Sequence, residues 1–244
     1  MAHTETPPDA SDDDGGSLSP QWFLYEQDGP IVTVTFNRPE RRNGLNAGVL
    51  SELESIVQHI RDDRSVRVVI ITGAGPVFCA GAEPASVSER AGRGDMSGGR
   101  GGPRVIGRVF DQLASLEQIS IMAVNGHAVG GGWSLCLAGD YCLAVPEAQF
   151  WVPEVELGVP FRGLSNFALT HRMGPWLAKE ATILCRRFGA DELRQLGVIN
   201  RVVEPDQLLV EARRVADQFA ALAPKAVAQT KRDVNSVIYG PKHY

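Results

Sequence analysis

The residues best suited to chemistry fall into three groups: glycine-rich turns at 73–84 and 125–132, and a carboxylate pair, Glu154 and Glu156. Each turn follows an apolar run, Val68-Val-Ile-Ile-Thr72 or Ile119-Ser-Ile-Met-Ala-Val124, and Gly130-Gly131-Gly132 stands where a helix over about 131–138 should begin. Glycine lets a ligand approach the backbone N–H groups closely. At a helix start those groups lack intrahelical acceptors and carry the positive end of the helix dipole. Two of them converging on one point would bind an oxygen that gains negative charge during a reaction. The plain alternative is a tight strand-to-helix turn with no further duty. Gly73-Ala-Gly75 is not a dinucleotide fingerprint, because position 78 is Phe where a third glycine is needed, and no P-loop lysine follows either turn. If 149–156 runs extended, Glu154 and Glu156 point the same way. His127 lies within the second turn and reads as a satisfied turn histidine. Trp133 and Ser134 follow the glycine triplet, and the tryptophan reads as core.

Alternating strands and helices would position these residues. Ile31–Phe36 is β-branched and follows an Asp28-Gly29 turn, so it reads as a strand. Asn46 reads as the N-cap of a helix to about Arg61, with Val49, Leu50, Leu53, Ile56, Val57 and Ile60 at helical spacing. Val66–Thr72, Ile119–Val124 and Tyr141–Val145 read as strands, the first two apolar enough to be covered on both faces. Helices are expected at about 105–118, 163–173, 175–185, 190–195, 205–221 and 223–235. This order predicts an α/β fold of parallel strands and crossover helices, followed by a helical C-terminal part. Residues 1–20 read as a disordered acidic tail and 88–104 as a mobile Gly- and Arg-rich loop.

Composition narrows the function classes. The chain has 244 residues and a formal net charge of −5. Five acids and no Lys or Arg lie within 1–18, which leaves 24 basic and 24 acidic residues in the body. A neutral body offers no global field for nucleic acid or an anionic membrane. Cys79, Cys136, Cys142 and Cys185 form no C-x-x-C pair and no zinc-ligand spacing, so reduced, buried thiols in a cytoplasmic protein are expected, with no metal. The N-terminus has no signal-peptide pattern. The most apolar stretch, 119–138, is interrupted by Asn125, His127 and glycines and is a poor membrane span.

The wording around the glycines is more specific than the glycines themselves. Phe78-Cys-Ala-Gly-Ala-Glu83, Ala123-Val-Asn-Gly-His-Ala-Val-Gly-Gly-Gly132 and Asn37-Arg-Pro-Glu-Arg-Arg-Asn-Gly-Leu-Asn46 resemble three ordered segments of the crotonase superfamily, the enoyl-CoA hydratase/isomerase family. Ala148-Gln-Phe150, Pro153-Glu154, Leu157–Pro160 and Ala190–Val203 fit the same order, so the resemblance covers about 22–235. It implies a spiral of ββα turns over about 21–190 and a helical trimerisation region over 191–244, with assembly into homotrimers or hexamers. The C-terminal region is shorter than in many members. The resemblance further implies acyl-CoA thioester substrates, with coenzyme A as part of the substrate and no separate cofactor. Carried over by position, the backbone N–H groups of Ala82 and Gly131 form an oxyanion hole. CoA and substrate contacts fall on Arg41, Arg42, Gly44 and Leu45, on Ala80, Gly81, Ala82 and Glu83, and on Gly130, Gly131, Ser134 and Pro153. A solvated surface pair is the alternative for Arg41 and Arg42.

One departure from the family pattern bears on the reaction. A family hydratase has two glutamates, one of them two residues after the glycine triplet. Here that residue is Ser134, while the second is present as Glu154. A serine hydroxyl positions water but is not ionised near neutral pH. Glu154 alone suits a proton shuttle, so a Δ3,Δ2-enoyl-CoA isomerase stands beside a hydratase. Glu83, where the family has aspartate, reads as a structural hydrogen-bonder, Glu156 as a surface charge, and Arg162 as a contact for a polar or carboxylated acyl group. The rival classes are an RNA-binding protein using Arg90, Arg93, Arg100 and Arg104, and a catalytically weakened relative. The neutral body and the loop's lack of aromatics speak against RNA.

Overall fold

The computed structural model describes residues 20–83 and 103–240, together with Leu18. Nearly all of the expected tail and of the Gly/Arg-rich segment lies outside these residues. In chain order the elements are β1 (Phe23–Asp28), β2 (Ile31–Phe36), α1 (Ala47–Asp62), β3 (Val68–Gly73), β4 (Val77–Cys79), α2 (Pro103–Ala114), β5 (Ile119–Val124), β6 (His127–Val129) and α3 (Gly131–Ala138). They continue with β7 (Tyr141–Ala144), β8 (Gln149–Trp151), α4 (Leu164–Thr182), β9 (Phe188–Gly189), α5 (Ala190–Gln195), β10 (Arg201–Val202), α6 (Leu208–Ala220) and α7 (Pro224–Tyr239).

The strands divide between two sheets. The larger runs β1-β2-β3-β5-β7-β10 and the smaller β4-β6-β8-β9. All pairs are parallel except β1 with β2 and β8 with β9. The chain therefore visits the large sheet, then the small one, then a helix, three times over: β3-β4-α2, β5-β6-α3 and β7-β8-α4. This is the expected spiral of ββα turns. Hydrophobic patterning explains the layers. All six residues of β5 are buried and five of β3 are, as befits strands covered on both faces. α1 buries the six positions read from its spacing. Trp133 is fully buried, its ring about equally close to Phe150 and Phe188 of the small sheet.

Asn46 caps α1, its side chain accepting from Val49 N at 3.0 Å. Asn46→Ala should cost about 1 kcal/mol, read as a lower denaturation midpoint with an unchanged m-value. The two helices expected at 163–173 and 175–185 are both present within α4, parted at Gly174, whose φ of 76° is non-helical before Pro175. Two expectations need correction. The helix expected at 105–118 ends at Ala114, where Gln118 instead turns inward to donate to Ile60 O. The last helix runs on to Tyr239, because the Tyr239 ring packs edge-on against Phe110. The four cysteines are free and buried. Among the described residues no helix is long and apolar enough to cross a membrane.

Candidate active site

The two glycine-rich turns meet where the small sheet joins α3. Residues 80–83 leave β4 and run beside 42–45, with Ala80 N donating to Arg42 O, Leu45 N to Gly81 O, and Glu83 N to Leu45 O. Leu45 and Ala82 form an isolated parallel bridge. Leu45 thus bonds both neighbours of Ala82, which turns the Ala82 N–H to the opposite side. Among the described residues no hydrogen bond uses that N–H.

Gly81 explains how the second donor comes near. Its φ is +76°, and a side chain there would meet Val129 O at 2.5 Å and Gly131 N at 3.4 Å. Only glycine accepts both the conformation and the contact. Gly130, at φ +50°, then turns the chain into α3, held by Gly130 N donating to Trp151 O at 2.9 Å. Gly131 is the first residue of the helix, where an N–H has no intrahelical acceptor. The donor positions Ala82 and Gly131 thus lie on adjacent backbones, at the positive end of a helix.

Glu154 completes the arrangement. A side chain at Gly130 would lie 2.5 Å from Glu154 Oε1 and 3.3 Å from Oε2, so the carboxyl group occupies the space that glycine leaves. Its Oε2 is buried without a hydrogen-bond partner among the described residues. Burial pushes the Glu154 pKa up to about 7 from 4.5, against a smaller lowering by a backbone hydrogen bond. At neutral pH such a carboxyl divides between a form that accepts a proton and one that donates it.

The remaining expected residues have defined places. Arg41 and Arg42 are exposed at the tip of the 38–45 turn. Gly44 packs on Glu83, whose carboxylate receives Arg38 Nη1 at 2.6 Å and Asn46 Nδ2 at 3.2 Å, so Glu83 is a structural hydrogen-bonder as expected. Ser134 is buried, and its Oγ donates to Gly130 O at 3.2 Å. Its hydroxyl is thus engaged within α3. Pro153 is half-buried beside Glu154, and Arg162 is exposed and bonds to none of the described residues. Glu156 is exposed. His127 Nδ1 accepts from Gln149 N at 3.2 Å, tying β6 to β8 as a satisfied turn histidine does. Arg104 lies at the start of α2, and Arg90, Arg93 and Arg100 fall outside the described residues.

Two further contributors had no role assigned from the sequence, although Asn43 stands inside the Asn37–Asn46 segment. Ile106 of α2 lies with Leu45 above Gly131, its side chain 3.9 Å from where a Gly131 side chain would begin. Its signal was helical spacing alone, with Val109, Phe110 and Leu113. Asn43 is buried at φ +53°, accepts from Arg38 N and donates to Ala74 O and Val77 O, fastening the 38–45 turn to the first glycine-rich turn. The Asn43-Gly44 pair was its trace in the sequence. An open polar groove between α1 and α2, lined by Ser51, Glu54, Ser55, Gln58 and Gln112, shares none of these residues.

Comparison with known proteins gives the arrangement a family. The sequence profile of the Enoyl-CoA hydratase/isomerase family matches residues 26–241. The chain is 36% identical over 216 residues to a short-chain-enoyl-CoA hydratase of Clostridium acetobutylicum, across 87% of this chain and 80% of that protein. It is 36% identical over 204 residues to a carnitinyl-CoA dehydratase of Proteus mirabilis, across 83% and 76%. The crystal structure of an enoyl-CoA hydratase from Polaromonas sp. JS666 superposes with a TM-score of 0.82 at 28% identity, over 88% of this chain and 83% of that one. Profile, relatives and fold agree with the motifs, and the chain belongs to the enoyl-CoA hydratase/isomerase family of enzymes, within the crotonase superfamily.

Proposed function

We propose that the chain binds an enoyl-CoA thioester with its carbonyl oxygen between the Ala82 and Gly131 N–H groups, and that Glu154 is the sole side-chain acid and base of the reaction. The observation that carries this reading is the Glu154 carboxyl group lodged against Gly130, with a pKa of about 7. An enolate places negative charge on the thioester oxygen, where two fixed donors stabilise it without reorganising. Glu154 then takes the proton from C2 of a 3-enoyl ester and returns it to C4, moving the double bond to C2–C3. A carboxyl near neutrality suits both halves of that transfer. Arg41 and Arg42 face the phosphates of CoA, and Arg162 meets a polar acyl group. No cofactor is needed beyond the substrate's own CoA.

Hydration is the second reading, favoured by the relatives named hydratase and dehydratase. There water adds at C3 and a proton at C2, with Glu154 serving both. Incubation with trans-2- and trans-3-enoyl-CoA in deuterated water separates the two. Isomerisation gives 2-enoyl-CoA from the 3-enoyl ester, partly retaining the original proton at C4. Hydration gives 3-hydroxyacyl-CoA from the 2-enoyl ester with deuterium at C2. An enzyme that converts neither ester overturns both readings.

The exposed apolar residues Leu157, Phe167, Trp176, Ile183 and Leu184, on α4 and beside its ends, support self-association as a homotrimer or a hexamer. Trp176 is 81% exposed in the single chain. Sedimentation of the wild type at three times the chain mass or a multiple of it is the expected result.

A further inference from the structure

Helix α3 carries the Gly131 donor at one end, and a side chain outside every motif closes the other. All residues from Gly132 to Ala138 are buried, so the last carbonyl groups of α3 cannot turn to water. Arg172, in the first half of α4, meets them: Nη1 donates to Leu137 O at 2.8 Å and Nη2 to Gly139 O at 3.4 Å. The Tyr239 hydroxyl donates to the same Leu137 oxygen at 3.4 Å. The guanidinium also places a positive charge at the negative end of the helix dipole. Among the described residues, Asp140 and Lys231 are also charged groups beside this end. They form a pair at 2.6 Å, with Ser120 N–H and hydroxyl on the same Asp140 oxygen and Lys231 also on Gln118 O. That pair is neutral in sum, so Arg172 supplies the net charge.

We propose that Arg172 is a positioning residue for the oxyanion hole, fixing the far end of α3 so that the Gly131 N–H stays aimed at the thioester oxygen. The inference rests on the reading of Ala82 and Gly131 as that hole. α3 has eight residues, little more than two turns. It is held at one end by the Gly130–Trp151 hydrogen bond and at the other by Arg172, with one longer bond from Tyr239. Without Arg172 the second end keeps only its packing and the Tyr239 bond, which lets so short a helix shift, and a shift of about 1 Å in a catalytic group costs on the order of 10²-fold in rate. Most of the expected CoA contacts, at 41–45 and 80–83, lie on other elements, so the loss falls mainly on kcat rather than KM.

The test compares wild type, Arg172→Gln and Arg172→Lys for kcat, KM and thermal midpoint. The same proteins are titrated with acetoacetyl-CoA, whose enolate absorbs in the near ultraviolet and reports stabilised charge on the thioester oxygen. Arg172→Gln should lower kcat by roughly 10- to 100-fold, keep KM within about twofold, and weaken the enolate band. Arg172→Lys keeps the charge but not the two-pronged fork, and should fall between Gln and wild type. A folded Arg172→Gln enzyme with the wild-type kcat and band overturns the role, as does a loss of activity that only tracks the unfolded fraction. Should the Gln variant not fold, Arg172→Lys decides: reduced kcat at unchanged KM supports the role, and wild-type kcat overturns it. A wild type that binds acetoacetyl-CoA without an enolate band overturns the oxyanion reading and this inference together. A wild-type band that persists in full in the variants overturns this inference alone.

Discussion

Glu154→Gln should lower kcat on the productive enoyl-CoA ester by on the order of 10²- to 10⁴-fold, the range that removal of a positioned acid–base group produces. KM should change little, because the amide has nearly the shape of the carboxyl and the proposed CoA contacts at Arg41 and Arg42 are elsewhere. The loss should be large because Ser134, the position where a family hydratase has its other glutamate, is buried with its hydroxyl on Gly130 O and cannot take over proton transfer. Steady-state kinetics with equilibrium binding of a CoA ester checks the two halves separately. A variant with the wild-type kcat would remove Glu154 from the mechanism.

The same substitution should make the folded protein less sensitive to pH. The Glu154 pKa is about 7 when folded, against 4.5 for an ordinary glutamate, so between those values the native state holds a proton that the unfolded chain has released. A raised pKa contributes stability that is fully present below 4.5 and is lost as pH climbs through about 7. At about 1.36 kcal/mol per unit, the wild type should lose up to about 3 kcal/mol relative to Glu154→Gln over that window. Denaturant unfolding at acid and alkaline ends of the range measures it. If the stability difference does not grow with pH, the carboxyl is not desolvated as the structure has it. The cause of this cost is the buried Oε2 beside Gly130, where a substrate proton would arrive.

How much of this was legible in the sequence depended on length and pattern. Four strands of the large sheet, β2, β3, β5 and β7, could be read from their apolar and β-branched runs, as in Ile119–Val124, while β1 and the two-residue β10 could not. β4, β6 and β8 could not, since each has three residues and shows no period. Their existence came only through the family resemblance, although they carry the turns that hold Ala82 and Gly131. The glycines at 81 and 130 were visible as letters, while the reasons for them, contact with Val129 O and room for Glu154, are contacts across 48 and 24 positions of sequence. Arg172 left no trace at all. An arginine on a helix otherwise reads as a solvated surface charge, and only the burial of the α3 carbonyls gives it a task. Glu154 stood out through its Pro153-Glu154 context, but its raised pKa depends on a desolvation that no local pattern encodes.

Gly131→Pro should reduce kcat by on the order of 10²- to 10³-fold, as expected for deletion of one oxyanion donor, with little loss of stability. Position 131 is the first of α3, where proline is well tolerated because its missing N–H would find no intrahelical partner. The fold therefore keeps its hydrogen bonds, and only the proposed donor to the thioester oxygen disappears. The ring also adds bulk, since any side chain at 131 meets Leu45 Cδ1 at 2.9 Å. Gly131→Ala controls for this: it brings the same first carbon against Leu45, the movable end of a flexible side chain, yet retains the N–H. The expected order of kcat is wild type, then Ala with a modest loss, then Pro far below. If Ala and Pro were equally impaired, the damage would come from crowding beside Leu45 and Ile106, and the Gly131 N–H would have no special part. If only Pro is impaired while the acetoacetyl-CoA enolate band fades with it, the donor acts on the charge that develops at the thioester oxygen, and Ala82→Pro should reproduce the effect from the facing backbone.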